Sequence, residues 1–425
     1  MGVKKWGSVP HRFSTLKRRG TDPKGEVTMK IFHTADWHLG KLVQGVYMTE
    51  DQHYILEQFI EAVKIEQPDV VIIAGDLYDR AVPPTEAIHL LNEVLDTIVL
   101  QLGIPVLAIA GNHDSPSRLD FGTRLMREKG FHLVGQLDSQ LKPVIISDEF
   151  GPVHFHLVPY CDPSIVRSLY QDDTIKTHDD ATKVIVDKIT NQMKENERHI
   201  YVGHAFVTPY GEEEANTSES EKPLSIGGAE YVNASHFKNF HYTALGHLHQ
   251  AHYVLKDTIR YAGSPLKYSI SEEHHKKGFY IVDIDKNGDV EIEKRKLKPK
   301  RDMRTVEAKM DEILTYPVNE DYVFVRLQDE SVVLSPMEKV RSVFPNAMHV
   351  ERKSDPFLQN LTRDEQRPSV KELSDLELFK SFYEEVIGEA VSKEMEEIFK
   401  DVLDQLLKTE NETIETEKQK EVVTN

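Results

Sequence analysis

Five short segments of this 425-residue chain combine glycine with metal-ligand side chains: Asp36-Trp37-His38-Leu39-Gly40, Gly75-Asp76, Gly111-Asn112-His113-Asp114, Gly203-His204 and Gly246-His247-Leu248-His249. Between them they offer carboxylate oxygen, amide oxygen and imidazole nitrogen. That mixture suits Mn, Fe or Zn, whereas all-oxygen sets suit Mg and Ca. Seven such ligands can hold two adjacent cations, and two metals about 3.5–4 Å apart are the usual device for hydrolysing phosphate esters. Asp36 and His38 are two residues apart, as are His247 and His249. In extended backbone such pairs leave the chain on the same side, so each pair is expected to point into one cavity. A single Asp-x-His or His-x-His carries little weight, and Gly-Asp and Gly-Asn are good turn formers. Turn formation accounts for one or two of these segments, not for five of which four also supply histidine.

Each segment follows a predicted strand. Residues 30–35 form an apolar run ending at Asp36, residues 70–74 end at Gly75-Asp76, and residues 106–110 end at Gly111-Asn112. Between the first two, Thr49-Glu50-Asp51-Gln52 fits a capping box with Thr49 as N-cap and Gln52 at the third helical position. The helix it opens carries Ile55, Phe59 and Val63 on one face and stops near Pro68. Pro83-Pro84-Thr85 starts a second helix, with Ile88, Leu91 and Leu95 turned inward. Strand–helix alternation implies right-handed βαβ units and a largely parallel sheet. Such sheets bind ligands beyond the carboxyl ends of their strands, where these three segments lie. Farther on, residues 199–202 and 241–245 are predicted strands ending at the two Gly-His segments. Residues 259–262 and 278–284 add strands, and Lys286-Asn287-Gly288-Asp289 a hairpin turn. A second, more antiparallel sheet packed on the first is expected.

Composition sets the outer limits. At 425 residues, two or three domains are expected. A formal net charge of -19 argues against nucleic acid if it is spread evenly. It is not: residues 371–425 hold 16 acids and 7 bases and supply nearly half of it. Bound divalent cations would also reverse the local field. Cys161 is the only cysteine, which rules out a disulfide framework within the chain and suits a reducing cytosol. His154, His156, His274 and His275 read as surface or core histidines. The longest apolar region, 98–110, is interrupted by Gln101, Gly103 and Pro105, so no transmembrane helix is expected. Residues 1–28 hold 7 bases and 2 acids without periodicity. They read as a disordered extension, or a leader included by a wrong start ahead of the strand at Met29, rather than as a basic arm for DNA.

Lys294, Arg295, Lys296, Lys298, Lys300 and Arg301 mark a domain boundary, either a solvated linker or a phosphate-contacting edge. Beyond it lies a small α/β unit with strands at 322–327 and 347–350 and a helix at 336–343. Two amphipathic helices follow, one carrying Leu376, Phe379, Tyr383 and Val386, the other Met395, Ile398, Val402 and Leu406. A helical hairpin this short has little core of its own, so its apolar stripe is expected to dock on the parent domain or on a partner, and the polar linker before it favours the partner. The chain thus divides into residues 1–28, a metal-site domain at 29–297, a small α/β domain at 298–356, a linker at 357–370, a hairpin at 371–410 and a disordered tail at 411–425.

In order and spacing the five segments resemble the signature of the calcineurin-like metallophosphoesterases: Asp-x-His, Gly-Asp, Gly-Asn-His-Asp/Glu, a later His, and Gly-His-x-His. More narrowly, Asp36-Trp37-His38-Leu39-Gly40, Gly75-Asp76-Leu77-Tyr78-Asp79 and Gly111-Asn112-His113-Asp114-Ser115-Pro116 resemble the SbcD branch of that superfamily. These are bacterial nuclease subunits related to the Mre-type DNA repair nucleases of archaea and eukaryotes. The small second domain and the helical hairpin add to the resemblance, which covers about residues 29–410. It implies an α/β fold: a β-sandwich flanked by helices, with an α/β capping domain and a C-terminal helical hairpin. It implies that Asp36, His38 and His249 hold one divalent metal ion and Asn112, His204 and His247 a second, with Asp76 bridging. Mn2+ is the expected ion, and no further cofactor is expected. His113 is implied to contact the scissile phosphate and assist the leaving oxygen, with Asp114 orienting its imidazole. Archaeal relatives carry a histidine where this chain has Asp79, so no histidine step at that position carries over.

The resemblance further implies hydrolysis of DNA phosphodiester bonds in repair, recombination and replication. The activities would be an ATP-dependent double-strand exonuclease, a single-strand endonuclease and hairpin opening. The implied assembly is a cytoplasmic homodimer bound to SbcC, an SMC-like ATPase, as an SbcC/SbcD heterotetramer free of membrane. The capping domain would touch DNA and the hairpin would dock on the ATPase coiled coil. No Gly-x-x-x-x-Gly-Lys-Ser/Thr loop occurs, so ATP hydrolysis would come from the partner. A hydrolase of small phosphodiesters or phosphoproteins needs neither the second domain nor the hairpin. A DNA-end scaffold with a dead site would have lost ligands, and every expected ligand is present.

Overall fold

The computed structural model describes residues 28–194, 196–210, 230–329 and 331–352, and beyond these residues 376, 379–380, 383, 391–400 and 402. The expectations for the amino-terminal extension, the 357–370 linker, the tail and most of the hairpin lie outside the described residues.

Val70–Ile73 and Val106–Ile109 are fully buried apolar runs. Such runs can be satisfied only in a sheet covered on both faces. They sit at the centre of a six-stranded sheet ordered Val290–Lys296, Gly278–Ile284, Met29–Thr34, Val70–Ile73, Val106–Ile109, Phe131–Val134. The last four strands are parallel. The helices Thr49–Glu66 and Thr85–Leu95 lie between them in the chain, as βαβ units require. Phe32, Phe59 and Phe279 pack ring to ring, at 4.9–6.0 Å between centroids, and seat the first helix on this sheet. A second six-stranded sheet runs His252–Val254, Lys256–Tyr261, Tyr242–Gly246, Arg198–His204, Gly151–Leu157, Val144–Asp148. The two sheets close on a shared core that includes Ile31, Ile72, Leu107, Phe155, Val202, Tyr242 and Val282. A second core, with Ile185, Ile189, Tyr201 and Phe237, packs the helix His178–Thr190 on the second sheet.

Several sequence expectations change. The second sheet is not the more antiparallel one: its four central strands are parallel and only its edge pairs are antiparallel. Gly278–Ile284 belongs to the first sheet, antiparallel to Met29–Thr34 with Ile31 opposite Val282. The βα crossovers leave that edge of Met29–Thr34 open, and the Gly278–Lys296 hairpin fills it. The basic run is therefore no linker at its start, because Val290–Lys296 is an edge strand. Arg295 pairs with Glu66 at 2.9 Å, Arg301 with Asp51 at 2.9 Å, and Lys300 with Glu50. In the second helix the buried stripe is Ala87, Leu90, Leu91 and Val94, whereas Ile88 is 40% exposed. Ile88 falls one residue, about 100°, off that stripe.

Two compact units are present: residues up to Thr305 with Glu320–Val323, and Val306–Asn319 with Phe324 onward. The second holds the helices Met310–Ile313 and Pro336–Arg341 over Phe324–Leu327, paired in parallel with His349–Arg352. Ile313, Val325, Leu327, Val340 and Phe344 are its buried core. Farther along, Phe379 stacks on Phe399 at 4.0 Å and Lys380 pairs with Glu396 at 2.8 Å, so the two hairpin segments meet. No helix among the described residues is long and apolar enough to cross a membrane.

Candidate metal centre

The five segments leave the carboxyl ends of strands in both sheets and converge on one site. Asp36 and His38 follow Met29–Thr34, Asp76 follows Val70–Ile73, and Asn112 and His113 follow Val106–Ile109. His204 ends one strand of the second sheet, and His247 and His249 follow its neighbour Tyr242–Gly246. Asp36, His38, Asp76, His204, His247 and His249 are all at most 4% exposed. One ligand atom from each of Asp36, His38 and His249 lies within 4.8 Å of the others. The same holds for His38, Asp76 and His113, and for Asp36, Asp76 and His204. Asn112 Oδ1 is 3.0 Å from His204 Nε2, and the His247 ring lies 5.4 Å from that of His204. Asp76 Oδ2 stands 3.6 Å from His38 Nε2 and 3.4 Å from His204 Nε2, between one histidine of each implied ligand set.

The paired ligands do not converge by strand alternation, as expected from their spacing. Asp36 (φ 53), His38 (φ 45), Asp76 (φ 49) and His247 (φ 105) all adopt left-handed backbone. Each such residue costs about 1–3 kcal/mol and persists only where its surroundings over-determine it. Here the loops hold one another: Asp36 N–H donates to the Gly75 carbonyl at 3.1 Å and His38 N–H to the Asp76 carbonyl at 2.9 Å. Asp36 Oδ1 in turn accepts the His247 N–H, and Asp76 Oδ1 the His113 N–H, both at 2.9 Å. Two glycines are required by this crowding. A Cβ on Gly75 would lie 2.2 Å from His204 Nδ1, and one on Gly111 2.2 Å from Asp76 Oδ1. Gly111→Ala is therefore expected to displace Asp76 and weaken divalent-cation binding by about 10–100-fold, on the scale of disturbed ligand support. Calorimetric titration measures this; unchanged affinity would mean that the loop yields without moving the carboxylate.

The site fits a divalent cation. Burial drives the His38 and His247 imidazoles well below their usual range, which keeps them neutral with a ring lone pair to offer. Burial also pushes the Asp36 carboxyl up to about 7, and its Oδ2 is buried with no hydrogen-bond partner. Burial opposes charge on His204 too, but the Asp76 and Asp36 carboxylates outweigh it and raise the ring to about 9. Asp76, for its part, is held well below the carboxylate range by His204 and His38 against the pull of burial. A protonated His204 thus balances carboxylates that a cation would balance instead. Nε2 of His38 and of His249 face each other at 3.0 Å beside the orphaned Asp36 oxygen, a set of donors that a borderline cation completes.

The structure reassigns Asp114. Its Oδ2 accepts N–H groups of Gly111 and Leu77 at 3.0 and 3.1 Å, and its Oδ1 that of Tyr78 at 3.0 Å. It therefore ties the Asp76 loop to the Asn112 loop and does not orient His113. That role falls to Asp79, whose backbone carbonyl accepts from His113 Nδ1 at 2.8 Å and whose carboxylate is held by Lys41 at 2.8 Å. Gln52 is not a capping residue either, since the helix cap is Met48 and no side chain caps it. The Gln52 amide is buried, accepts the Gly40 N–H at 3.0 Å and donates to the His38 and Trp37 carbonyls at 2.7 and 3.2 Å. Tyr268 also donates to the Trp37 carbonyl, at 2.5 Å, so both residues clamp the first ligand loop. Sequence reasoning missed Tyr268 and Glu272, the latter 3.0 Å from His249 Nδ1. Neither lies in a motif, so only the folded contacts reveal them.

Comparison with known proteins agrees with this geometry. Residues 29–251 match the family of calcineurin-like phosphoesterases, and residues 299–386 match the SbcD_C family, described as type 5 capsule protein repressor C-terminal domain. A Staphylococcus saprophyticus protein, named as the SbcD component of the SbcCD nuclease, is 35% identical over 385 residues, spanning 89% of this chain and 99% of the relative. A Staphylococcus epidermidis protein of the same name is 32% identical over 386 residues, spanning 90% and 100%. A solved dimetal phosphatase from Danio rerio is 12% identical with a TM-score of 0.35, covers 63% of this chain and 96% of its own, and carries no weight at that score. Matched along nearly its whole described length, the chain belongs to the calcineurin-like phosphoesterase family, in the SbcD branch.

Proposed function

We propose that this chain is the nuclease subunit of an SbcCD-type complex and hydrolyses DNA phosphodiester bonds at a two-metal centre. The observation that carries this reading is the position of Asp76 Oδ2 between His38 and His204. Asp36, His38 and His249 would hold one cation, and Asn112, His204 and His247 the other, with Asp76 serving both. When bound, the two cations, Mn2+ in this reading, supply Lewis acidity toward the phosphate and the attacking water. The protein supplies the rest. Asp114, Gln52 and Tyr268 fix the ligand loops. His113 gives its Nδ1–H to the Asp79 carbonyl, which orients the ring so that its other nitrogen can pass a proton to the departing sugar oxygen.

The proposed activities are an ATP-dependent double-strand exonuclease, a single-strand endonuclease and hairpin cleavage, in DNA repair, recombination and replication. The ATPase partner is SbcC. Exposed Met395, Ile398 and Val402 form one helical stripe and support docking of that partner on the hairpin. Phe121 and Leu125, 84% and 76% exposed just beyond the His113 segment, support a second copy of this chain as neighbour. The 298–356 region is proposed to cap the DNA. A single cysteine suits the cytoplasm. The test is cleavage of linear double-stranded DNA by the full chain with Mn2+, alone and with SbcC and ATP. Degradation that rises with the partner is expected; activity confined to small phosphodiesters would overturn the nuclease reading.

A further inference from the structure

His204 and His249, one histidine from each proposed ligand set, differ in what stands behind Nδ1. Nδ1 of His204 lies 2.9 Å from the Ala74 carbonyl, a neutral acceptor. Nδ1 of His249 instead meets Oε1 of Glu272 at 3.0 Å, and that carboxylate is completely buried. Its other oxygen contacts the ammonium of Lys277, itself only 8% exposed. The same ammonium donates to the His249 carbonyl at 2.9 Å and to Ser264 Oγ at 2.7 Å. A closed ring therefore runs from the His249 imidazole through Glu272 and Lys277 back to the His249 backbone. It fixes one metal ligand at both ends.

A carboxylate that accepts the Nδ1–H of an imidazole selects the tautomer whose Nε2 lone pair faces the cation, and strengthens that donor. Such a carboxylate is costly to bury unpaired, and Lys277 removes that cost. A buried ion pair adds little net stability by comparison with apolar residues of the same volume. Its placement against a metal ligand therefore points to the metal rather than to the fold. We propose that Glu272 and Lys277 are positioning residues that make the position served by Asp36, His38 and His249 the tighter of the two, so that the centre fills in that order. This rests on the ligand assignment proposed above.

The test is titration of Mn2+ into metal-free full chain, followed by calorimetry and by the paramagnetic resonance of unbound Mn2+. Two ions should bind in two separate classes. Glu272→Gln should weaken the tight class by about 10–100-fold and leave the weak class in place. Lys277→Met should weaken the same class, and adding Glu272→Gln to it should recover part of the loss, because the carboxylate is then no longer buried without a counter-charge. Should Glu272→Gln not fold, Glu272→Asp, which draws the charge back by one methylene, is read in the same way. Two equal classes in the parent overturn the proposal, as does a Glu272 variant that folds and weakens both classes or neither. Fewer than two bound ions in the parent overturns the ligand assignment instead.

Discussion

Asp76→Asn is expected to leave a folded chain that no longer cleaves DNA, because it removes the one charge that the two proposed cation positions would share. Asparagine keeps the shape of the side chain and can still accept the His113 N–H that Asp76 Oδ1 accepts at 2.9 Å. What it loses is the anionic oxygen set 3.6 Å from His38 and 3.4 Å from His204. Disturbing residues that merely support a metal ligand costs about 10–100-fold in affinity, so loss of a shared ligand should cost at least about 100-fold, at both positions. Calorimetric titration of Mn2+ and degradation of linear DNA read this together. Two ions bound at parental affinity in the variant would contradict the bridging role, and loss of one ion alone would place Asp76 in one set.

His113→Ala has the opposite signature. His113 is 7% exposed, its ring lies 4.5 Å from that of His38, and its Nδ1 is held by the Asp79 carbonyl. The ring is thus rigidly placed at the edge of the centre, while the ligand assignment does without it. Loss of a positioned proton donor typically costs about 10²–10⁴-fold in rate. The variant is expected to show that fall in kcat for DNA cleavage with two Mn2+ ions still bound. Because one ligand atom of His113 lies within 4.8 Å of those of His38 and Asp76, a ligand role is the alternative. Loss of an ion from the variant would establish it and refute the proton-donor role.

Much of this site was legible in the sequence because its parts are local. Val70–Ile73 and Val106–Ile109 are uninterrupted apolar runs, so their strands, and the candidate ligand residues at their carboxyl ends, could be placed without a structure. What escaped was set by contacts between distant segments. Thr49-Glu50-Asp51-Gln52 has the pattern of a capping box, yet the unsatisfied backbone of the Trp37–Gly40 loop claimed the Gln52 amide. Asp114 adjoins His113 in sequence, which suggested a pair, but the N–H groups of Leu77 and Tyr78 come from another loop and took its carboxylate. Left-handed backbone at Asp36, His38 and Asp76 has only a weak signature in residue type, since Asp and His enter that region more often than most residues but far less readily than glycine. The pairing of Gly278–Ile284 with Met29–Thr34 was hidden for a related reason: an apolar strand does not declare which sheet it will join.

One buried carboxylate, Asp76, is proposed to join two metal positions built from five segments. Anomalous diffraction from crystals of the full chain soaked in Mn2+ tests this bridging role most directly. Two peaks are expected about 3.5–4 Å apart, on either side of the Asp76 carboxylate. One should be surrounded by Asp36, His38 and His249, the other by Asn112, His204 and His247. A single peak, or two peaks of which Asp76 touches only one, would contradict that role.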